Sequence, residues 1–238
     1  MSQGHTFLWK NHVEHGDPSV DNMMYDPESR CGVLTDFDLS LLQWEPRIFG
    51  TDRTATVPFM AIDLLTDEYW KGTIKRYYHH ELESFIWVIV FVFLLYQDGK
   101  RQSNKYATPW MTSNYNICRI EKVYFYSKTL GEVESSVQRD YATFWLLPRR
   151  LCASLALQNL HRSLRELPEY GPKLDHLQES ENMWQSFVAV LHGFVKEDIG
   201  HEFSDQIDRL QKCKPGFKEM NGKVKEEGLR KKYSSNIT

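Results

Sequence analysis

The tightest constraint on this chain is the order of polar groups between His15 and Asp38. His15-Gly16-Asp17-Pro18-Ser19-Val20-Asp21-Asn22 fits the pattern H-x-D-x-x-x-x-N, and the apolar run that follows ends on Asp36-Phe37-Asp38. Two of these aspartates, Asp17 and Asp36, stand nineteen positions apart. That interval has room for a hairpin that returns both to one edge. Asn22-Met23-Met24-Tyr25 is a short apolar run. Asp26-Pro27-Glu28-Ser29 is turn chemistry, because proline presets φ and the aspartate bonds the backbone ahead of it. Gly32-Val33-Leu34-Thr35 is a second run with β-branched members. Two strands joined by this loop set Asn22 at the start of one and Asp36 at the end of the other.

A carboxylate, a neutral amide oxygen and a second carboxylate at one edge are hard oxygen donors. Magnesium prefers such ligands and takes only one or two carboxylates from a protein. The expected chemistry is phosphoryl transfer: Asp17 accepts or orients the proton of the attacking hydroxyl, while Asn22 and Asp36 hold Mg²⁺ over the nucleotide phosphates. His15 is expected as a packed core residue behind Asp17, not as a base.

Other parts of the chain narrow the alternatives. A net charge of −3 gives no global attraction to nucleic acid or to an anionic membrane. Trp44, Trp70 and Trp110 lack the interleaved basic residues of a base-stacking platform. Cys31, Cys118, Cys152 and Cys213 form no C-x-x-C pair, which argues against a zinc or redox site and for reduced intracellular thiols. No signal peptide opens the chain. Phe85 to Leu95 is the longest apolar run, too short to span a bilayer and suited to a core helix. His79 and His80 are neighbours, and neighbouring residues on a helix point apart. A shared metal there is not expected. From Lys212 to Thr238 the chain carries eight Lys or Arg against three Glu, and it is expected to be a basic, solvated tail.

Patterning predicts a mainly helical α+β fold. Thr6 to Val13 reads as the end of a helix or a strand. Thr51 to Leu65 reads as a loop docking onto a helix. A central buried helix is expected over Glu81–Tyr96, apolar on all sides. Asp98–Asn116 reads as a polar loop. Further helices are expected at Cys118–Leu130, Val137–Leu147, Arg150–Leu167 and Asn182–Asp198, with Pro148, Pro168 and Pro172 as punctuation.

Four ordered stretches resemble the fungal-type protein kinase domain family: His15 to Asn22, Leu34 to Leu39, Arg53 to Ala61, and His80-Glu81-Leu82-Glu83-Ser84-Phe85. The likeness covers His15 to about Tyr96. It implies a kinase-like C-terminal lobe over 15–211, with a small β-hairpin carrying the catalytic and metal-binding loops. It also implies ATP and Mg²⁺ as cofactors and a protein Ser/Thr acceptor. Asp17 would be the catalytic aspartate, Asn22 and Asp36 the metal ligands, and 39–65 the activation segment. Ser19 would be a second catalytic residue, standing where protein kinases commonly carry a lysine. Ala61-Ile62-Asp63 would replace A-P-E.

The departures carry expectations of their own. Gly16 replaces the arginine that reads an activation-loop phosphate, so Thr51, Thr54 or Thr56 is not expected to be an on-switch of the arginine-paired kind. Asp38 replaces the glycine of D-F-G, which limits backbone freedom there. Only fourteen residues precede His15, with one glycine (Gly4) and one lysine (Lys10). Residues 1–14 are therefore expected to be a short leader, the N-terminal lobe to be absent, and the chain by itself to transfer phosphate weakly. A longer chain would supply the missing lobe. Two other readings stand beside this one. His15-Gly16-Asp17 also resembles aminoglycoside and choline kinases, which would give a small-molecule acceptor. A non-catalytic pseudokinase would use its exposed apolar face as an interaction module.

Overall fold

A computed structural model describes residues 2–29, 31–42, 55–128, 132–172 and 174–195. Arg53, Thr54, Trp44, most of 39–54 and the basic tail lie outside the described residues. The elements run α1 (Ser2–Lys10), β1 (Val13–Glu14), β2 (Met23–Asp26), β3 (Cys31–Leu34), β4 (Leu41–Leu42), α2 (Asp67–Trp70) and α3 (Tyr78–Leu95). They continue with β5 (Tyr96–Gln97), β6 (Lys100–Arg101), α4 (Tyr115–Lys128), α5 (Leu146–Leu164) and α6 (His176–Phe194). Among the described residues the architecture is mainly helical, with three two-stranded antiparallel pairs: β1 with β4, β2 with β3, and β5 with β6.

Helix α3 is the hub. It is apolar all round, and 83% of it is buried. By length and composition it could cross a membrane, but here it is the core helix of a lobe. Helices α5 and α6 pack on it and on each other, and the turn Val57–Phe59 closes over its middle. Phe59 meets Phe91 edge-on at 4.9 Å, and Trp87 meets Trp110 edge-on at 5.2 Å. Trp110 is fully buried, a core contact as expected.

Several expected boundaries move, each for a local reason. Residues 2–10 are no loose leader: they form α1, whose His5 and Thr6 are buried against α3. The helix expected over Val137–Leu147 is a 3-10 turn at Arg139–Phe144, followed by α5. Pro148, expected as a break, lies in the first turn of α5, where the missing N–H has no helical acceptor to lose. Helix α6 starts at His176, six residues before the expected Asn182. Asp175 caps it and Gln178 reaches back to complete a capping box. The Asp98–Asn116 loop contains β6, a 3-10 turn at Thr108–Trp110 and the start of α4.

Candidate active site

The hairpin is present in the expected register: Met23 pairs with Leu34 and Asp26 with Cys31. Asp26 shapes its turn by accepting from the Glu28 and Ser29 amides, at 3.0 and 3.3 Å. One step beyond the ladder, Thr35 N–H donates to the Asn22 carbonyl at 2.8 Å, so Asn22 and Asp36 leave the hairpin from neighbouring positions. Asp36 has φ +59 and Asp38 does not share that conformation. The left-handed residue is therefore the aspartate, whose short polar side chain tolerates it, and not the position where glycine was replaced.

Asp17 is gripped from two sides. Its Oδ1 accepts from the Thr56 amide at 2.8 Å, and its Oδ2 accepts from the Thr56 hydroxyl at 2.8 Å. Asn22 Nδ2 donates to the Asp17 carbonyl at 2.9 Å and approaches Oδ2 at 3.4 Å. Both amide hydrogens of Asn22 are thus turned toward Asp17. Its Oδ1 has no hydrogen bond among the described residues. Asp36 is exposed, and its Oδ1 accepts from Asp38 N–H at 3.3 Å while Oδ2 has no partner among the described residues. An amide oxygen and a carboxylate oxygen without protein partners among the described residues are each of the hard type that a divalent cation takes. Ser19 is buried and its Oγ accepts from Asn22 N–H at 3.3 Å, so it braces the loop that presents Asn22.

His15 sits fully buried behind this loop, as expected. Its Nε2 donates to the Thr35 carbonyl at 2.9 Å and its Nδ1 accepts from Asp17 N–H at 3.3 Å. The ring meets Phe37 edge-on at 4.8 Å. One imidazole therefore ties the Asp17 backbone to the strand that ends in Asp36.

The anchor beneath the loop is Glu81, in the first turn of α3. It accepts from Gly16 N–H at 2.8 Å and from His15 N–H at 3.4 Å, is paired with His5, and has Arg76 at 4.0 Å. Burial alone would raise its pKa, but His5, Arg76 and the Gly16 amide overcome that and hold it at about 2. Arg76 also donates to the Gly16 carbonyl. The motif signal marked Glu81; nothing in the sequence marked His5 or Arg76 as its partners.

Gly16 now has a physical reason. Its φ is +90, and a Cβ there would stand 2.4 Å from the Leu39 carbonyl oxygen. The backbone at this position runs too close to Leu39 for any side chain, an arginine included.

His79 and His80 do not point apart. Their rings lie 4.1 Å from each other, and with Asp63 they form a compact cluster of potential ligands. The cause is capping: His80 occupies the third position of α3, and its Nδ1 reaches back to accept from Tyr77 N–H at 3.0 Å. That bond leaves the proton on Nε2, which faces Asp63 Oδ2 at 3.7 Å. A cation on Nε2 would force the proton onto Nδ1, against the Tyr77 N–H. The Tyr77 bond thus sets His80 with its Nε2 proton toward Asp63 and not as a ligand. The far end of the cluster is Arg162 of α5, which pairs with Asp63 and lies 3.3 Å from Glu179 of α6. Burial outweighs the neighbouring Asp63 and lowers the His80 pKa, whereas His80 and Arg162 lower that of Asp63 against its own burial.

No curated protein and no solved structure matches this chain. Residues 2–93 match the family model described as fungal protein kinase, a span that holds α1, the hairpin, Asp17, Asn22, Asp36, Thr56 and nearly all of α3. Through that segment, which is less than half of its length, the chain is similar to the fungal protein kinase family.

Proposed function

We propose that this chain is a protein-kinase-like phosphotransferase that moves the terminal phosphoryl group of ATP to a Ser or Thr hydroxyl of a protein. The observation that carries this reading is the double grip of Thr56 on Asp17. It joins the candidate base to the segment Val57–Leu65, which this reading takes as the part that holds the acceptor peptide. Small-molecule kinases of the H-G-D type generally lack such a segment.

In this reading Asp17 orients the acceptor hydroxyl and takes its proton as the oxygen bonds to phosphorus and the bond to the β-phosphate oxygen breaks, releasing ADP. Asn22 Oδ1 and the Asp36 carboxylate would hold Mg²⁺, which when bound neutralises charge on the phosphates. Ser19 acts through the loop, keeping Asn22 in place. The match of residues 2–93 to the fungal protein kinase model supports phosphotransfer at the level of the kinase class; the acceptor, the nucleotide and the metal are the proposal.

The test is transfer of label from Mg-ATP to a mixed Ser/Thr protein acceptor such as dephosphorylated casein. Slow transfer that falls by about 10²-fold or more in Asp17→Asn supports the reading, as expected for loss of a general base. Label on a small amino alcohol and none on protein overturns the protein acceptor. Transfer indifferent to Asp17→Asn overturns the site. Mn²⁺ binding that is lost in Asp36→Asn tests the metal-holding half on its own.

A further inference from the structure

Lys122 is a fully buried ammonium in the middle of α4. Its Nζ donates to the Met60 carbonyl at 2.6 Å and sits 4.7 Å above the Trp87 ring. Glu83 lies near enough to act on it electrostatically, but the Glu83 carboxylate accepts from Ile62 N–H and from Trp87 Nε1, each at 2.9 Å. Lys122 therefore has one carbonyl and one π face as its main partners. A buried charge so sparsely compensated is expensive. Met or Leu would fill the same volume against Trp87 without that cost. What such residues cannot do is donate to Met60 O, which is buried with Met60 at 3% exposure.

The bond leads directly to the candidate site. Met60 N–H donates to the Val57 carbonyl at 3.2 Å, Phe59 N–H donates to the Thr56 carbonyl at 2.9 Å, and Thr56 binds Asp17 through both its amide and its hydroxyl. One turn before Lys122 on the same face of α4, Cys118 Sγ donates to the Val57 carbonyl at 3.7 Å. Helix α4 thus holds both ends of the turn Val57–Phe59 by their carbonyls.

We infer that Lys122 is a positioning residue: by clamping the Met60 carbonyl from α4 it sets the acceptor-binding turn and, through that turn, the hold of Thr56 on Asp17. The inference rests on reading 57–65 as the acceptor segment. Burial also lowers the Lys122 pKa to about 8.

The experiment is amide hydrogen exchange on the full chain, read over 55–62 and over α3. In Lys122→Met the 55–62 amides exchange at least about tenfold faster while Trp87–Leu95 keeps its protection, and Lys122→Arg restores the slow rate. Lys122→Gln, which keeps a shorter donor, gives an intermediate rate and serves in place of the Met variant if that variant does not fold. Unchanged exchange over 55–62 overturns the inference. So does uniform acceleration through α3, or failure of both Met and Gln variants to fold, since each makes Lys122 a general core residue. None of these readings needs turnover, so absence of phosphoryl transfer with the local effect intact counts against the proposed function alone. Where transfer is measurable, Lys122→Met raises the acceptor KM at least about fivefold and leaves the ATP KM unchanged.

Discussion

Glu81→Gln isolates the charge that holds the His15–Asn22 loop to the central helix. The carboxylate is 1% exposed, so solvent screening takes little from it. Its pKa falls from 4.5 to about 2 on folding. At about 1.4 kcal/mol per unit, that shift corresponds to about 3 kcal/mol of stability at neutral pH. A similar figure comes from the pairing: removing one partner of a buried ion pair costs roughly 3–5 kcal/mol because the other charge is left unmatched. Here Arg76 would be left so. The substituted glutamine would still accept from Gly16 N–H with its carbonyl, but its amide group would present hydrogens to His15 N–H and His5. The assay is urea unfolding of both chains at several pH values from neutral down to about 3. At neutral pH the variant is expected to be less stable by about 3 kcal/mol. A carboxylate with a depressed folded pKa stabilises above its unfolded pKa, and that stability is lost as pH falls toward the folded value. The gap between the two chains should therefore hold down to 4.5 and close between 4.5 and about 2. A gap below about 1 kcal/mol at neutral pH, or one that does not change with pH, refutes the assignment of Glu81 as a charged anchor.

Gly16→Ala meets both a left-handed φ and the Leu39 carbonyl at 2.4 Å, and should cost roughly 2 kcal/mol or more in urea unfolding. A cost within about 0.5 kcal/mol would show that the turn relaxes freely. Thr56→Glu sets a second negative charge against Asp17 and should lower the melting temperature in calorimetry without raising phosphoryl transfer; a rise in transfer would mark Thr56 as an activating site. His79 is buried, bonded to Ser180 at 3.2 Å, and held well below 6.5 by burial and by His80. The unfolded chain takes up that proton first, so stability should fall by about 1.4 kcal/mol per pH unit below about 6.5 on this account. His79→Asn should flatten that slope between about pH 6.5 and 5, and an unchanged slope would place the acid sensitivity elsewhere.

Local pattern was enough for the parts of this protein that local physics governs. The hairpin was legible because Asp26-Pro27 dictates a turn and the flanking runs have strand chemistry. Helix α3 was legible because an all-round apolar run of that length has to be buried. The grouping of Asp17 with Asn22 followed from the spacing. Tertiary structure decided what closes the site. Thr56 reaches Asp17 across thirty-nine positions, His5 reaches Glu81 across seventy-six, and Lys122 reaches Met60 across sixty-two. No periodicity records such pairings, since each depends on how separate elements pack. Gly16 read as a lost arginine until the Leu39 backbone stood beside it. His79 and His80 read as diverging until the cap at Tyr77 turned one ring back. Chain order thus sets which oxygens the hairpin and its loop carry, and packing around α3 sets how firmly, and by which buried charges, they are held.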